Sequence, residues 1–508
     1  MSVSDRRARR TAATALLALL LAVPAAVMSQ VPAPLSADAA RQDMMARLGI
    51  KRLSPGVSPD PRSPDAANYD EARADPWPDW PDPLTTDAGR PVTSAGQWWK
   101  VRRPEIARAY EREVYGRVPD DVPTVDWKVT VTERELVGFT PVTARRVIGH
   151  VDNSAAPGIA VDIRMVVVVP ANAKGPVPLL VMYGRDDFPA PSPPSRTEHE
   201  RIDAALKTLL ARQDPSLRAV FEAHPAFMLH PQPPFRLPQR DAHGDYSRPE
   251  QIIAAGWGYA MLDTDTIQPD DAGALQQGII GLTNRGRARS PEQWGALRAW
   301  AWGASRAFDF LSRDPAIDPA RIGIEGVSRY GKAALVAMAF DQRFAIGLIA
   351  SSGKGGTTPL RRNFGESVTS LTYGAPHWMA GNFLRYGAAA GRDIRTPGDL
   401  PVDSHELIAL CAPRPLFISF GVPEAGDDRW LDHRGSLMAA VAAGRVYRLL
   451  GKQDLGLGDD YRRVSLPPVN TGLLDGALAW RQHDGGHTDT PNITHFLRWA
   501  DERLRMRP

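Results

Sequence analysis

A serine in a glycine-flanked turn is the residue of this sequence with the clearest chemical potential. Residues 321–335 read RIGIEGVSRYGKAAL, which places Ser328 two residues after Gly326 and three before Gly331. A sharp turn from strand to helix leaves no room for larger neighbours, so both glycines would relieve crowding and Ser328 would project above a sheet edge. An oxyanion there would face free backbone N–H groups and the positive end of a helix. The pattern indicates a nucleophile.

The usual G-x-S-x-G motif differs from this turn, because the second glycine comes one residue later here. A serine in such a turn can also be structural. The apolar segment before it, the helix-like segment after it and partner residues further along the chain favour the catalytic interpretation.

A histidine in a short glycine-containing segment near the C-terminus is the candidate general base. Residues 483–488 read HDGGHT, and they follow the last expected strand and precede the terminal helix. Enzymes whose nucleophile lies on a strand-to-helix turn commonly place their base after the last strand, and two glycines would let the segment approach the serine closely. We therefore assign His487 as the base. His483 is the competing residue, and a solvated loop histidine is the alternative interpretation.

The elements that must position these residues alternate between apolar, β-branched runs and helical periodicity. Such alternation predicts an α/β fold with a mostly parallel central sheet, helices on both faces and long loop insertions. The expected strands are 125–131, 143–151, 161–169, 178–183, 258–262, 322–325, 346–350, 416–420 and 447–450. The expected helices are 97–118, 294–312, 331–339 and 493–505.

The chain divides into segments of different composition. Residues 1–29 combine four arginines, an apolar run too short to span a membrane and small residues, which predicts a secretory signal peptide and a periplasmic or secreted protein. Residues 30–96 are rich in Pro, Asp and Ala and predict an extended or partly disordered lead segment. The remaining residues, 97–508, form the expected enzyme domain, with an insertion at about 186–250 that would shape the rim of a site.

Charge and cysteine content exclude several classes of function. The chain carries a formal net charge of +3. Residues 1–29 account for all of it, so the mature protein would be near neutral, and we expect neither nucleic-acid binding nor stable membrane insertion. Cys411 is the only cysteine, so no disulfide can form within the chain. No ligand cluster with metal-site spacing is present, and no metal or cofactor is expected. We expect a monomer.

These residues, together with others in the same order, resemble the glucuronoyl esterases, which cleave esters between the 4-O-methyl-glucuronic acid of xylan and lignin alcohols. The resemblance covers most of the chain from about Gln97 onward. Its motifs are Trp98, Arg102 and Arg103 with Tyr115-Gly116-Arg117; Ser328-Arg329-Tyr330-Gly331-Lys332; Arg361-Arg362-Asn363-Phe364-Gly365-Glu366; Pro376-His377-Trp378; Asp428-x-Trp430; and Gly485-Gly486-His487.

The resemblance implies an α/β-hydrolase fold and further roles in the site. Arg329 would stabilise the oxyanion through its backbone N–H and its guanidinium. Lys332, Glu366 and Trp430 would bind the sugar, with the indole face stacked on the ring. Without the resemblance, Trp430 would be interpreted as a core residue and Glu366 as the partner of a neighbouring arginine.

The chain departs from the family at the catalytic acid. Many members carry a glutamate just after the strand at 346–350, where this sequence has Ser351. A serine cannot supply the negative charge that stabilises an imidazolium. Some relatives use an aspartate after the next sheet strand instead, and Asp428 is the best match there, with Asp427 and Glu424 as alternatives. The order Ser328, Asp428, His487 agrees with the order usual for this fold.

The leading hypothesis is a serine esterase that hydrolyses esters of (4-O-methyl-)glucuronic acid in glucuronoxylan or lignin–carbohydrate complexes through an acyl-enzyme. A carbohydrate esterase of other specificity, such as an acetylxylan esterase, is the alternative within enzymes. A catalytically weakened carbohydrate-binding relative is the alternative of another class, suggested by the missing glutamate.

Overall fold

A sheet of ten strands runs through the centre of the protein in the computed structural model, which describes residues 35–189, 194–229 and 239–505. The expected signal peptide, 1–29, lies outside these residues. The strands of the described chain are β1 Ile50–Leu53, β2 Val125–Val137, β3 Thr140–Val151, β4 Asp162–Pro170, β5 Val177–Tyr183, β6 Gly258–Leu262, β7 Ile317–Val327, β8 Gly347–Ala350, β9 Ala388–Gly391, β10 Leu416–Phe420, β11 Gly472–Leu473 and β12 Leu478–Gln482.

The order of strands in the sheet is β11-β12-β10-β8-β7-β5-β6-β4-β3-β2. The six strands from β12 to β6 are parallel, and the two ends of the sheet are antiparallel. The carboxyl ends of β7, β8, β10 and β12 therefore meet at one edge. The remaining two strands, β1 and β9, form a separate antiparallel pair.

Helices cover both faces of the sheet. Those of the described chain are α1 Ala37–Leu48, α2 Ala95–Gln97, α3 Arg103–Glu113, α4 Arg196–Gln213, α5 Leu217–Ala223, α6 Arg248–Ala254, α7 Gly278–Thr283, α8 Ala296–Leu311, α9 Arg329–Phe340, α10 Val368–Gly374, α11 Ser404–Cys411, α12 His433–Leu449 and α13 Thr490–Arg505.

Two apolar cores follow from the alternation of side chains along the strands. In β5, Leu179 and Val181 face the core shared with α8, α9, α11 and α12, whereas Leu180 and Met182 face α6 and α13. All seven residues of β5 are buried, because a parallel strand with helices on both faces has no exposed side. The predicted α/β class with a mostly parallel sheet is confirmed.

One predicted strand is wrong, and four strands, β1, β9, β11 and β12, were not predicted. Residues 447–449 belong to the helix α12, and Leu450 caps its end. A four-residue apolar run does not distinguish a strand from a helix end, and the alanine-rich stretch before it propagates the helix. The strand next to β10 is instead β12, whose sequence LAWRQ carries Arg and Gln in buried positions, and β11 forms the edge beyond it.

Three other segments differ in detail from expectation. The helix expected at 97–118 is divided into α2, a π-helical turn at Trp98–Arg102 and α3, which ends at Glu113. The lead segment is not extended throughout, because α1 and β1 occupy residues 37–53 and β1 pairs with β9. The expected insertion lies between β5 and α6 and contains the helices α4 and α5.

Candidate active site

Ser328 occupies a backbone conformation that an ordinary serine rarely adopts. It lies between β7 and α9 with φ 62° and ψ −130°, and its N–H donates to the Ala350 carbonyl at 2.9 Å. A Cβ on Gly326 would lie 2.3 Å from the Tyr330 carbonyl oxygen, and one on Gly331 would lie 2.8 Å from the Ala350 oxygen. The two glycines therefore permit the turn as the sequence indicated. Backbone strain of this kind is often found at functional sites.

The first turn of α9 begins directly after Ser328. The helix starts at Arg329, so unpaired N–H groups and the positive end of the helix face the region beside the serine. The Arg329 side chain is partly exposed, and its Nε lies 2.8 Å from Asp270 Oδ2. An anion that forms at this turn would meet both backbone donors and a fixed cation.

Asp270 forms a cluster with Arg329 and the expected His377-Trp378 pair. Its Oδ1 lies 2.8 Å from His377 Nε2 and accepts from Trp378 Nε1 at 2.6 Å. Burial opposes ionisation of Asp270, but hydrogen bonds from His377 and Trp378 outweigh it and hold the pKa of the carboxyl below its ordinary value. Asp270 is therefore an ionised partner that fixes the guanidinium of Arg329. The sequence analysis did not identify it.

His487 contacts a buried aspartate through Nδ1. The distance from His487 Nδ1 to Asp427 Oδ1 is 2.8 Å, and Asp427 is fully buried. Burial opposes ionisation of the carboxyl, but interactions with His433, His487 and Ser351 outweigh it and hold the pKa of Asp427 far below its ordinary value. An ionised aspartate on Nδ1 leaves Nε2 available to exchange a proton, which is the arrangement that a general base requires.

The expectation that Asp428 contacts the histidine is wrong. Asp428 is exposed, and its Oδ1 accepts from the Trp430 N–H at 3.1 Å, so it begins the short turn Arg429–Leu431. Its neighbour Asp427 faces inward and accepts from the Gly421 N–H at 2.6 Å. Successive side chains in this loop point to opposite sides, so a shift of one residue changes the partner entirely. Glu424, the other alternative, is exposed.

The hydrogen bonds of His483 lie within its own loop, so His483 supports the loop and is not the histidine at Asp427 Oδ1. Its ring is buried, its Nε2 lies 2.8 Å from the Thr488 carbonyl and its Nδ1 accepts from the Gly485 N–H at 3.1 Å. Burial lowers the pKa of His483, so the ring is held neutral. Gly486 lies so close to the loop after β10 that a Cβ would be 2.2 Å from the Ala425 oxygen. His487, not His483, is thus presented at the sheet edge.

Contacts at the carboxyl edge of four adjacent strands connect the serine to the histidine. Ser328 follows β7 and is hydrogen bonded to Ala350, the last residue of β8. The next residue, Ser351, donates to Asp427 Oδ2 at 2.8 Å, and Asp427 contacts His487 after β12. The structure thus places Ser328, Asp427 and His487, which lie 60 to 159 residues apart in the chain, along the same carboxyl edge.

The three expected sugar-binding residues lie on one chain of contacts beside this edge. Lys332 Nζ donates to the carbonyls of Ser352 and Lys354 at 2.6 and 2.7 Å and lies 3.5 Å from Glu366 Oε2. Glu366 in turn donates its backbone N–H to the Trp430 carbonyl at 2.8 Å. Trp430 is half-buried. Its indole therefore retains an exposed portion next to buried charges.

Lys332 is buried, and its ammonium group contacts two carbonyl oxygens and one carboxylate. Burial lowers its pKa, although the charge of Glu366 opposes this effect. Glu366 is paired with Lys332 rather than with the adjacent arginines, because Arg361 pairs with Asp403 and Arg362 pairs with Asp432. Lys332 therefore fixes Glu366 in place.

Neither a metal site nor a membrane helix emerges from the described ranges. Across 35–189, 194–229 and 239–505, no three His, Cys, Asp or Glu side chains are grouped so that they could hold a metal ion. Within the same ranges, no helix combines the length and apolar character needed to cross a membrane.

Comparisons with known proteins agree with this geometry. A family model described as glucuronyl esterase of fungi matches residues 289–451. The carbohydrate esterase MZ0003 of an unknown prokaryotic organism is 33% identical over 453 residues, covering 88% of this chain and 95% of that protein. A 4-O-methyl-glucuronoyl methylesterase 1 of Sodiomyces alcalophilus is 32% identical over 193 residues, covering 36% of this chain and 37% of that protein.

A solved structure supports the same relationship over almost the whole chain. A carbohydrate esterase family 15 (CE15) glucuronoyl esterase from Teredinibacter turnerae has a TM-score of 0.75 and 37% sequence identity, and the alignment covers 92% of this chain and 99% of that one. The fold and these relatives define a carboxylic ester hydrolase of the α/β-hydrolase class. The chain belongs to the glucuronoyl esterase family.

Proposed function

We propose that this protein hydrolyses esters of (4-O-methyl-)glucuronic acid in glucuronoxylan and lignin–carbohydrate complexes by an acyl-enzyme mechanism. The observation that carries the proposal is the contact of the exposed His487 with the buried Asp427 at the sheet edge where the strained Ser328 lies. The relative from Sodiomyces alcalophilus, named for the 4-O-methyl-glucuronoyl ester, supports the class of substrate.

The proposed reaction assigns a separate role to each side chain. Ser328 Oγ attacks the ester carbonyl while His487 Nε2 takes its proton. Asp427 holds the imidazole through Nδ1 and stabilises its positive charge. Arg329 and the N-terminal N–H groups of α9 stabilise the oxyanion. The protonated His487 then donates to the leaving alcohol, and water releases the acid from Ser328 by the same steps in reverse order.

The sugar-binding roles remain with the residues that the resemblance indicated. Trp430 supplies an apolar face for the ring, and Glu366, fixed by Lys332, supplies an acceptor for its hydroxyl groups. A small acetyl ester has no group that would use these contacts. Trp430→Ala should therefore raise KM for a uronate ester by about tenfold and leave p-nitrophenyl acetate hydrolysis unchanged.

A direct assay tests the proposed function. Release of acid from the benzyl ester of glucuronic acid is measured for wild type and Ser328→Ala, with p-nitrophenyl acetate as a second substrate. We expect turnover of the uronate ester that falls by at least about 10³-fold in Ser328→Ala. Hydrolysis of the acetate alone would refute the substrate class, and inactivity of the wild type on both would refute esterase activity.

We also propose that the protein is exported and acts as a monomer in the periplasm or outside the cell. The arginine-rich start and short apolar run in residues 1–29 support export. N-terminal sequencing of the protein recovered from periplasmic and culture fractions tests the proposal. A chain that begins at Met1 and remains in the cytoplasm would contradict it. Sedimentation of the recovered protein tests the expected monomer.

A further inference from the structure

The second oxygen of Asp427 accepts two hydrogen bonds and has a third polar neighbour, and none of these groups belongs to the base. Oδ2 accepts from Ser351 Oγ at 2.8 Å and from the Gly421 N–H at 2.6 Å. A second histidine, His433, places its Nε2 3.5 Å from the same oxygen. A carboxylate with both oxygens occupied in this way cannot rotate freely about its χ2 angle, so Oδ1 stays directed at His487.

His433 is built into this position by its surroundings. It is the first residue of α12, follows the left-handed residue Asp432 and is only 6% exposed. Its ring packs against Phe420 with a centroid distance of 5.0 Å. Its Nδ1 lies 3.5 Å from the amide nitrogen of Gln482, which also donates to the Gly421 carbonyl.

The partner of Nδ1 determines which ring nitrogen of His433 carries the proton. An amide NH₂ group can only donate, so Nδ1 accepts and the neutral ring carries its proton on Nε2. That proton faces Asp427 Oδ2. His433 thus turns its N–H group towards the aspartate at 3.5 Å and does not compete for the proton that His487 transfers.

We propose that His433 is a positioning residue for the catalytic acid and shares this task with Ser351. The inference rests on the proposed triad and deepens it. Ser351, at the position where the resemblance implied a glutamate, donates to Asp427. His433 places a second polar side-chain group 3.5 Å from the same oxygen. Together they fix the orientation of Asp427 and favour its ionised form.

Two substitutions of His433 distinguish positioning from packing. Phe keeps the ring against Phe420 but removes the donor, whereas Gln can place an amide N–H near the position of Nε2. If His433 positions Asp427, His433→Phe lowers kcat on the benzyl glucuronate ester by at least about tenfold with KM unchanged, because the polar N–H group beside the charged oxygen is lost. His433→Gln stays within about threefold of wild type. The opposite order, or equal activity of both variants, would overturn the inference.

A matched control and a double mutant separate this inference from the proposed function. His405→Phe alters another buried histidine, which donates to the Pro81 carbonyl, and should keep its kcat. Asp427→Asn should lose activity, and adding His433→Phe to it should cause no further loss, since His433 acts through that carboxylate. Full activity of Asp427→Asn would refute the triad itself. If His433→Phe still lowered activity tenfold in the Asp427→Asn background, only the role of His433 would be refuted.

Discussion

At the scale of single residues, the site depends on which of two neighbouring aspartates faces inward. Asp427 is buried and contacts His487, whereas the exposed Asp428 caps the turn that carries Trp430. The two side chains therefore have different contacts, Asp427 with the proposed base and Asp428 with the backbone of Trp430. The same substitution at each aspartate therefore gives a variant and its matched control.

Asp427→Asn is expected to lower kcat on the uronate ester by about 10³- to 10⁴-fold, because the amide cannot stabilise the imidazolium and can favour the wrong tautomer of His487. Asp428→Asn keeps an oxygen for the cap and should stay within about threefold of wild type. Steady-state kinetics of both variants, with circular dichroism to verify folding, measures this. If Asp428→Asn lost activity and Asp427→Asn did not, the catalytic acid would be Asp428.

Asp270 provides a second test at this scale, through its ion pair with Arg329. Asp270→Asn should lower kcat by about three- to tenfold with less effect on KM, because a less firmly held guanidinium stabilises the oxyanion less well. Asp271→Asn changes the adjacent residue, which caps a turn through the Gly273 N–H, and serves as the control. Equal kinetics for both variants would show that Asp270 does not act on Arg329.

At the scale of elements, a buried charge cluster joins the strand before the serine to the helix after the histidine. Glu325 in β7 and Asp489 just before α13 are both fully buried, and Arg248 at the start of α6 lies 2.8 and 3.5 Å from them. Two carboxylates share one guanidinium. Burial, together with the charge of Asp489, raises the pKa of Glu325 well above its ordinary value.

This cluster predicts a loss of stability as pH rises. The folded protein keeps a proton on Glu325 that the unfolded chain releases above pH about 4.3, so the free energy of unfolding falls with increasing pH until the folded pKa is passed. Glu325→Gln removes this proton uptake and should flatten the slope by up to about 1.4 kcal/mol per pH unit. Urea unfolding between pH 5 and 8 measures it. The control is Glu222→Gln, which changes an exposed glutamate. If the free energy of unfolding changed with pH in Glu325→Gln as it does in wild type, the prediction would be contradicted.

At the scale of the whole molecule, the described part of the lead segment, residues 35–96, is attached to the rest of the chain by buried and half-buried contacts. Glu71 pairs with Arg362 and with Arg434 at 3.0 and 2.7 Å. Trp80 stacks on Tyr461 with a centroid distance of 4.3 Å. The segment therefore contributes to the same folded unit as the site, although its composition alone suggested an extended or disordered course.

Arg362 is the centre of this attachment. It is 1% exposed and pairs with the equally buried Asp432 at 2.8 Å as well as with Glu71. Arg362→Met should destabilise the protein by about 3–5 kcal/mol, since it leaves Asp432 buried without its partner. Arg434→Met loses a half-exposed pair with the same Glu71 and should cost no more than about 1 kcal/mol. Chemical denaturation of both variants tests this, and similar losses would contradict it.

The sequence by itself determined the features that depend on local pattern. Apolar alternation marked most strands of the sheet and hence the α/β class, and the two glycines around Ser328 indicated a tight turn because only a missing Cβ permits it. The HDGGHT segment placed a histidine at the correct edge, since parallel strands end on the same side of a sheet. Local composition did not distinguish the end of α12 from a strand.

The tertiary structure alone decided which side chains meet. The choice of Asp427 over Asp428 depends on the path of one loop, and that path is fixed by contacts with Ser351 and His487, which lie 76 and 60 residues away. Asp270 and His433 gave no signal in the sequence for the same reason, because their partners are distant in the chain. Adjacent residues in a loop have no fixed period, so the packing of neighbouring segments determines which of them faces the site.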